Sequence, residues 1–155
     1  MTMVTMYDSA SPQFIPAGAE AVAGYIDGKY KWASAYWTRF AAARKFRISL
    51  EGNVLADIFD VEGGTLDIAG VARVAAIRAS AYLSSVVYCS LDNWEANKAV
   101  IGDLPVAWWI ADYINGHTPT APMEGACGWQ YASLSPRYDL SVVDTDQWPN
   151  YKGLG

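Results

Sequence analysis

Apolar residues along the chain fall into short runs separated by polar and glycine-rich breaks. Val4-Thr5-Met6-Tyr7 alternates as a first strand and closes at Asp8-Ser9-Ala10-Ser11-Pro12. Residues 16–22 open on a proline and predict a short helix, and 23–26 predict a strand that ends at Asp27-Gly28. Residues 34–43 are rich in alanine and aromatics and predict a helix with Ser34 as its cap. Phe46-Arg47-Ile48-Ser49-Leu50 alternates again, and 55–59 is an apolar run shortly before Gly63-Gly64. The strongest helical pattern covers 67–82, with Asp67 as N-cap and a stripe of Ala, Val and Ile around Arg73 and Arg78. Beyond it come a strand at 86–89, a helix at 91–100, a very apolar strand at 106–111, a strand at 127–131 and an extended piece at 138–141. Strands alternating with helices predict an α/β fold with parallel strands. A full (β/α)₈ barrel takes about 250 residues. A chain of 155 residues therefore predicts a reduced or irregular TIM-like barrel with some helices missing. A doubly wound sheet fits less well, because no glycine-rich phosphate loop follows the first strand. One domain is expected over 1–155, with 148–155 a surface tail.

Composition narrows the function. The net charge of −5 argues against nucleic acid as a partner, since that needs a basic footprint. No apolar run is long enough for a membrane span, and the first residues have neither a basic region nor an apolar core of a secretory signal. Cys89 and Cys127 lack metal spacing and read as buried thiols, and His117 stands alone in a Gly/Thr/Pro loop. Neither a metal nor a cofactor is expected. Seven Trp and ten Tyr exceed what a core of this size needs and suit the faces of sugars.

Acids cluster at the ends of predicted strands: Asp8, Asp27, Asp60 with Glu62, Asp112 and Asp139. In a parallel α/β fold these ends share one rim, so the spacing predicts an acidic crater. Residues two apart on a strand share a face, so Asp60 and Glu62 are expected side by side. Such a pair should titrate apart, with Glu62 raised. Glycosidases use two carboxylates in this way, one as acid and one at the anomeric carbon.

Read in order, these segments resemble glycoside hydrolase family 25, the muramidases of bacterial and phage lysins. They are more similar still to the small family-25-like domains of actinobacteria and their phages. The resemblance rests on Met6-Tyr7-Asp8-Ser9, on the Asp-x-Glu of Phe59-Asp60-Val61-Glu62, and on Val87-Tyr88-Cys89-Ser90 followed by Trp94. It continues through Trp109-Ile110-Ala111-Asp112-Tyr113, Trp129-Gln130-Tyr131 and Tyr138-Asp139-Leu140-Ser141. It implies cleavage of the β-1,4 bond after N-acetylmuramic acid in peptidoglycan glycan strands. Glu62 is then the general acid. Asp60 assists at the anomeric centre, by direct attack or by orienting the substrate's 2-acetamido group. Asp8 and Asp139, and by its strand-end position Asp27, are expected to hold sugar hydroxyls. Trp109, Tyr113, Trp129 and Tyr131 are expected to stack on sugar rings. The setting implied is a lysin, cytoplasmic until released or carried on a phage particle. The chain is shorter than typical family members, which leaves a second reading open: a non-catalytic glycan-binding or structural virion module on the same barrel.

Overall fold

Eight strands close into one barrel in the computed structural model, which describes residues 2–148. They are β1 (Met3–Asp8), β2 (Ala21–Tyr25), β3 (Arg44–Ser49), β4 (Ile58–Asp60), β5 (Ser85–Ser90), β6 (Val106–Ala111), β7 (Gly128–Ser133) and β8 (Asp139–Asp144). Among the described residues three α-helices accompany them: α1 (Ser34–Arg39), α2 (Ile68–Ser80) and α3 (Leu91–Ile101). Neighbouring strands from β1 to β7 are parallel. The last strand departs from the expected all-parallel order. β8 runs antiparallel to both β7 and β1, with Asp139 opposite Asp8 and Asp144 opposite Met3. Only residues 134–138 join β7 to β8, too short a connection for a parallel crossover, so the chain turns straight back and β8 is reversed. The barrel is thus reduced, as the length required, and mixed.

Alternation along each strand sorts side chains between the barrel interior and its outer face. Val4 and Met6, Ala21 and Ala23, Phe46 and Ile48, Ile58, Val86, Trp109 and Val143 fill the interior. Trp148 joins them, with its ring 4.6 Å from Phe46 and 6.3 Å from Trp109. Trp148 is only 3% exposed, which corrects the expectation that a surface tail begins there. A large indole gains too much from burial in a partly filled barrel to stay in water. Residues 149–155 of the expected tail lie outside the described residues.

On the outer face, α2 and α3 cover β4, β5 and β6 through Phe59, Val71, Val74, Val87, Trp94, Trp108 and Ile110. A second apolar cluster on β1 and β2 contains Ile15, Val22, Trp32 and Phe40. α2 starts where expected, with the Asp67 carboxylate accepting the Gly70 N–H at 2.7 Å. Its buried stripe is Val71, Val74, Ala75 and Arg78. The Arg78 guanidinium donates to Ser85 Oγ and to the carbonyls of Val54 and Ser84, so its burial is hydrogen-bonded. Two helix expectations fail. Residues 16–22 form no helix: a single 3-10 turn at Pro12–Phe14 precedes them, and Ala21 and Val22 already belong to β2. The helix expected over 34–43 ends at Arg39, and Ala33 rather than Ser34 is its cap position.

Candidate active site

The interior changes character at one rim of the barrel. Two residues beyond core positions, on the same face of each strand, stand Asp8 after Met6, Tyr25 after Ala23, Asp60 after Ile58 and Tyr88 after Val86. Gln130 occupies the same level on β7. Asp139 reaches this rim by another route. Because β8 is reversed, its first residue lies beside the last residue of β1. A parallel strand would have put Asp139 here at its end. The reversed strand puts it here at its beginning, so the expected location holds for the opposite reason.

Gln130 organises the centre. Its side-chain nitrogen donates to both oxygens of Asp8, at 3.0 and 3.1 Å, and to Asp139 at 3.3 Å. Its oxygen accepts from the Tyr88 hydroxyl at 2.6 Å and the Tyr113 hydroxyl at 3.1 Å. One amide thus links two carboxylates to two phenols. Burial pushes the Asp8 carboxyl well above the usual range, and the charge of Asp139 adds to the rise. Burial also raises Asp139. The same desolvation, with the charges of Asp8 and Asp60, lifts the Tyr25 and Tyr88 hydroxyls, so both remain neutral. Tyr113 is pushed up to about 12, by burial first and then by Asp139 and Asp8.

Asp60 and Glu62 do not share a strand face. β4 ends at Asp60, whose Oδ1 accepts the backbone N–H groups of Glu62 at 2.8 Å and Gly63 at 2.9 Å. The chain therefore turns immediately, and period-two alternation stops applying. Asp60 points into the barrel mouth and is buried. Burial raises its carboxyl, the two N–H donors oppose the rise, and the charge of Glu62 adds to it. The carboxyl that burial raises at this turn is that of Asp60. Glu62 is carried sideways to the start of α3. Its Oε2 accepts the Ser90 N–H at 2.9 Å, and its Oε1 accepts from the Asn93 side-chain nitrogen at 2.6 Å.

Glu62 also lies where two depressions meet. One, of about 320 Å³, is lined by Glu62, Tyr88, Ser90, Ala111, Asp112 and Tyr113. The other, of about 400 Å³, runs past Glu62 to Lys29, Glu51 and Thr65. A smaller one, of about 160 Å³, opens over Asp8 and Asp139. The first two share Glu62 and form a groove with it at the middle.

The remaining sequence candidates separate. Tyr113 is 55% exposed and keeps its ring at the groove. Trp109 is 1% exposed and inside the barrel, with its indole N–H donating to Ser141 Oγ at 3.0 Å. It fills the interior and has no face for a sugar. Tyr131 is 6% exposed and sits in the bulge between Gln130 and Ala132, out of the regular register. Trp129 is half-buried, and its indole N–H is taken by the Asp112 carbonyl at 2.9 Å. Asp27 spends both oxygens on the end of β3, accepting from Ser49 Oγ at 2.6 Å and the Leu50 N–H at 2.7 Å. Gln130, Tyr25, Tyr88 and Asn93 were not among the candidates. The first three could have been found by counting inward positions from the core toward the rim.

The fold of this barrel is found among solved structures of lysozymes and an endolysin. Among solved structures it matches the family GH25 lysozyme from Aspergillus fumigatus, with a TM-score of 0.58 and 15% identity over 92% of this chain and 94% of that one. It matches the CTP1L endolysin with a TM-score of 0.57 and 12% identity, over 93% of this chain and 67% of that one. A third match is a Tat-secreted protein of Mycobacterium tuberculosis solved with L-tartrate, with a TM-score of 0.50 and 15% identity over 97% and 100% of the two chains. The chain therefore has the GH25 lysozyme fold, in a reduced form. No family model and no curated protein matches the sequence.

Proposed function

We propose that this protein is a peptidoglycan-cleaving glycoside hydrolase, an N-acetylmuramidase of the lysin type. The observation that carries the proposal is the meeting of Asp8, Asp60, Glu62 and Asp139 on one rim, under an open groove. Glu62 lies on the groove surface and is the group placed to protonate the leaving oxygen. Both its partners in the resting geometry are donors, so a proton on Glu62 calls for Asn93 to turn its amide and present oxygen. Asp60 is fixed by two backbone donors below. It stabilises the positive charge that develops at the anomeric carbon, by direct attack or through the 2-acetamido group. Asp8, Asp139 and Gln130 bind hydroxyls beside the cleaved bond, and Tyr113 supplies a ring face. The protein would meet the wall on release from the cell or as part of a phage particle.

A second reading has one observation in its favour. With both Glu62 oxygens occupied by donors at the start of α3, the same rim would also serve a glycan-binding module without turnover. Incubation with purified sacculi separates the two. New reducing ends carrying muramic acid support the hydrolase. Sedimentation with sacculi and no new reducing ends, across walls from several hosts, would replace it by the module. Reducing ends that carry glucosamine would keep the glycosidase and change the bond.

A further inference from the structure

Apart from Glu62, the residues lining the 400 Å³ arm of the groove, between the ends of β2, β3 and β4, have no role in the hydrolytic chemistry. Its floor is built from Leu50 and three glycines. A Cβ on Gly28, Gly63 or Gly64 would come within 2.9 Å of Leu50, so bare backbone is required there. Four functional side chains remain on the wall: Lys29, Glu51, Glu62 and Thr65. Lys29 and Glu51 carry opposite charges, yet among the described residues neither is in an ion pair. Each is also anchored. The Lys29 ammonium lies 4.9 Å from the Tyr30 ring centre, and that ring packs 5.5 Å from Tyr25. Glu51 sits in a turn whose N–H groups at Glu51, Gly52 and Asn53 all donate to Ser49 Oγ, while the Ser49 hydroxyl donates to Asp27. Asp27 thereby fixes the turn that presents Glu51.

An anion in this arm would meet Glu51 and Glu62, and a cation would meet Lys29. A neutral sugar would leave both charges unanswered. A ligand bearing both signs answers each. Because Glu62 lines this arm and the neighbouring one, the occupant would extend from a sugar bound at the centre. We propose that this arm is a subsite for a zwitterionic peptide branch of the glycan, with Lys29 holding a carboxylate and Glu51 an ammonium. The proposal rests on the reading of peptidoglycan as the substrate.

The test compares soluble, uncrosslinked glycan wall strands that carry peptide stems with the same strands after an amidase has removed the stems, which leaves a carboxylate but no ammonium on the glycan. Binding of the purified protein is measured by titration calorimetry, with thermal melting to confirm that each variant is folded. Wild type should prefer the stem-bearing strands. An exposed ion pair accounts for up to about fivefold in affinity. Glu51→Gln should lose that preference, and Lys29→Met should weaken binding to both kinds of strand. Equal wild-type affinity for the two kinds of strand, or a preference untouched by Glu51→Gln, would overturn the subsite. Stem-dependent binding without new reducing ends would support the subsite while removing the hydrolase. Hydrolysis with stem-independent binding would do the reverse.

Discussion

At the scale of single residues, protonation state governs this rim. If Glu62 delivers the proton, Glu62→Gln should lower the release of reducing ends by about 10²- to 10⁴-fold while binding to sacculi persists. Asp92→Asn, on the exposed first turn of α3, should change the rate little in the same assay. Asp8 gives a stability prediction. Its carboxyl is raised in the folded state, chiefly by burial, so its favourable contribution is complete below the unfolded pKa and is lost as pH rises through the folded one. Asp8→Asn keeps an oxygen to accept from Gln130 and removes the charge. Its melting temperature should exceed that of wild type at pH 7–8 and converge with it as the pH falls. In a chain of this size each kcal/mol of relief raises Tm by about 2–4 °C. Variants that melt together at pH 8 would contradict the buried charge. The acids at this rim were legible because carboxylates at strand ends are conspicuous. Gln130 was not, since an amide has neither charge nor nucleophile to draw attention. Trp109 misled because a tryptophan reads the same inside a barrel as on a sugar platform.

At the scale of elements, legibility followed local determination. α2 declared itself through cap, period and length, and β5 and β6 through unbroken apolar runs. Residues 16–22 read as helix because Pro16 suits a first turn, but Ala21 and Val22 gain more by pairing with β1 and β3. The direction of β8 was invisible, because no local pattern distinguishes a strand from its reverse. The Asp67 cap is a local device with a local cost. Asp67→Ala should destabilise the protein by about 1 kcal/mol, read as a drop in the urea midpoint with an unchanged slope. No shift in the midpoint would mean that tertiary packing alone holds the start of α2.

At the scale of the whole molecule, the barrel is polar at one end and closed by an indole at the other. Trp148→Ala should cost about 3–5 kcal/mol, the usual range for truncating a buried aromatic, and the loss should appear as a lower melting temperature. Unchanged melting would show that Trp148 is dispensable to the barrel. The reversal of β8 has a second effect, far from the rim. It returns the chain to its starting point: the Thr145 N–H donates to the Thr2 carbonyl at 3.0 Å, and the Thr2 N–H donates to Asp144 at 3.2 Å. Entry and exit of the described barrel are thus neighbours on the face away from the groove. The eight strands form a ring whose seam lies between two hydrogen-bonded partners. A circular permutant that joins these ends and opens the chain in the exposed turn at Tyr82 should rebuild the same barrel with its mouth unobstructed. For the same reason, anchoring the protein to a surface through either end would leave the carboxylate rim facing outward.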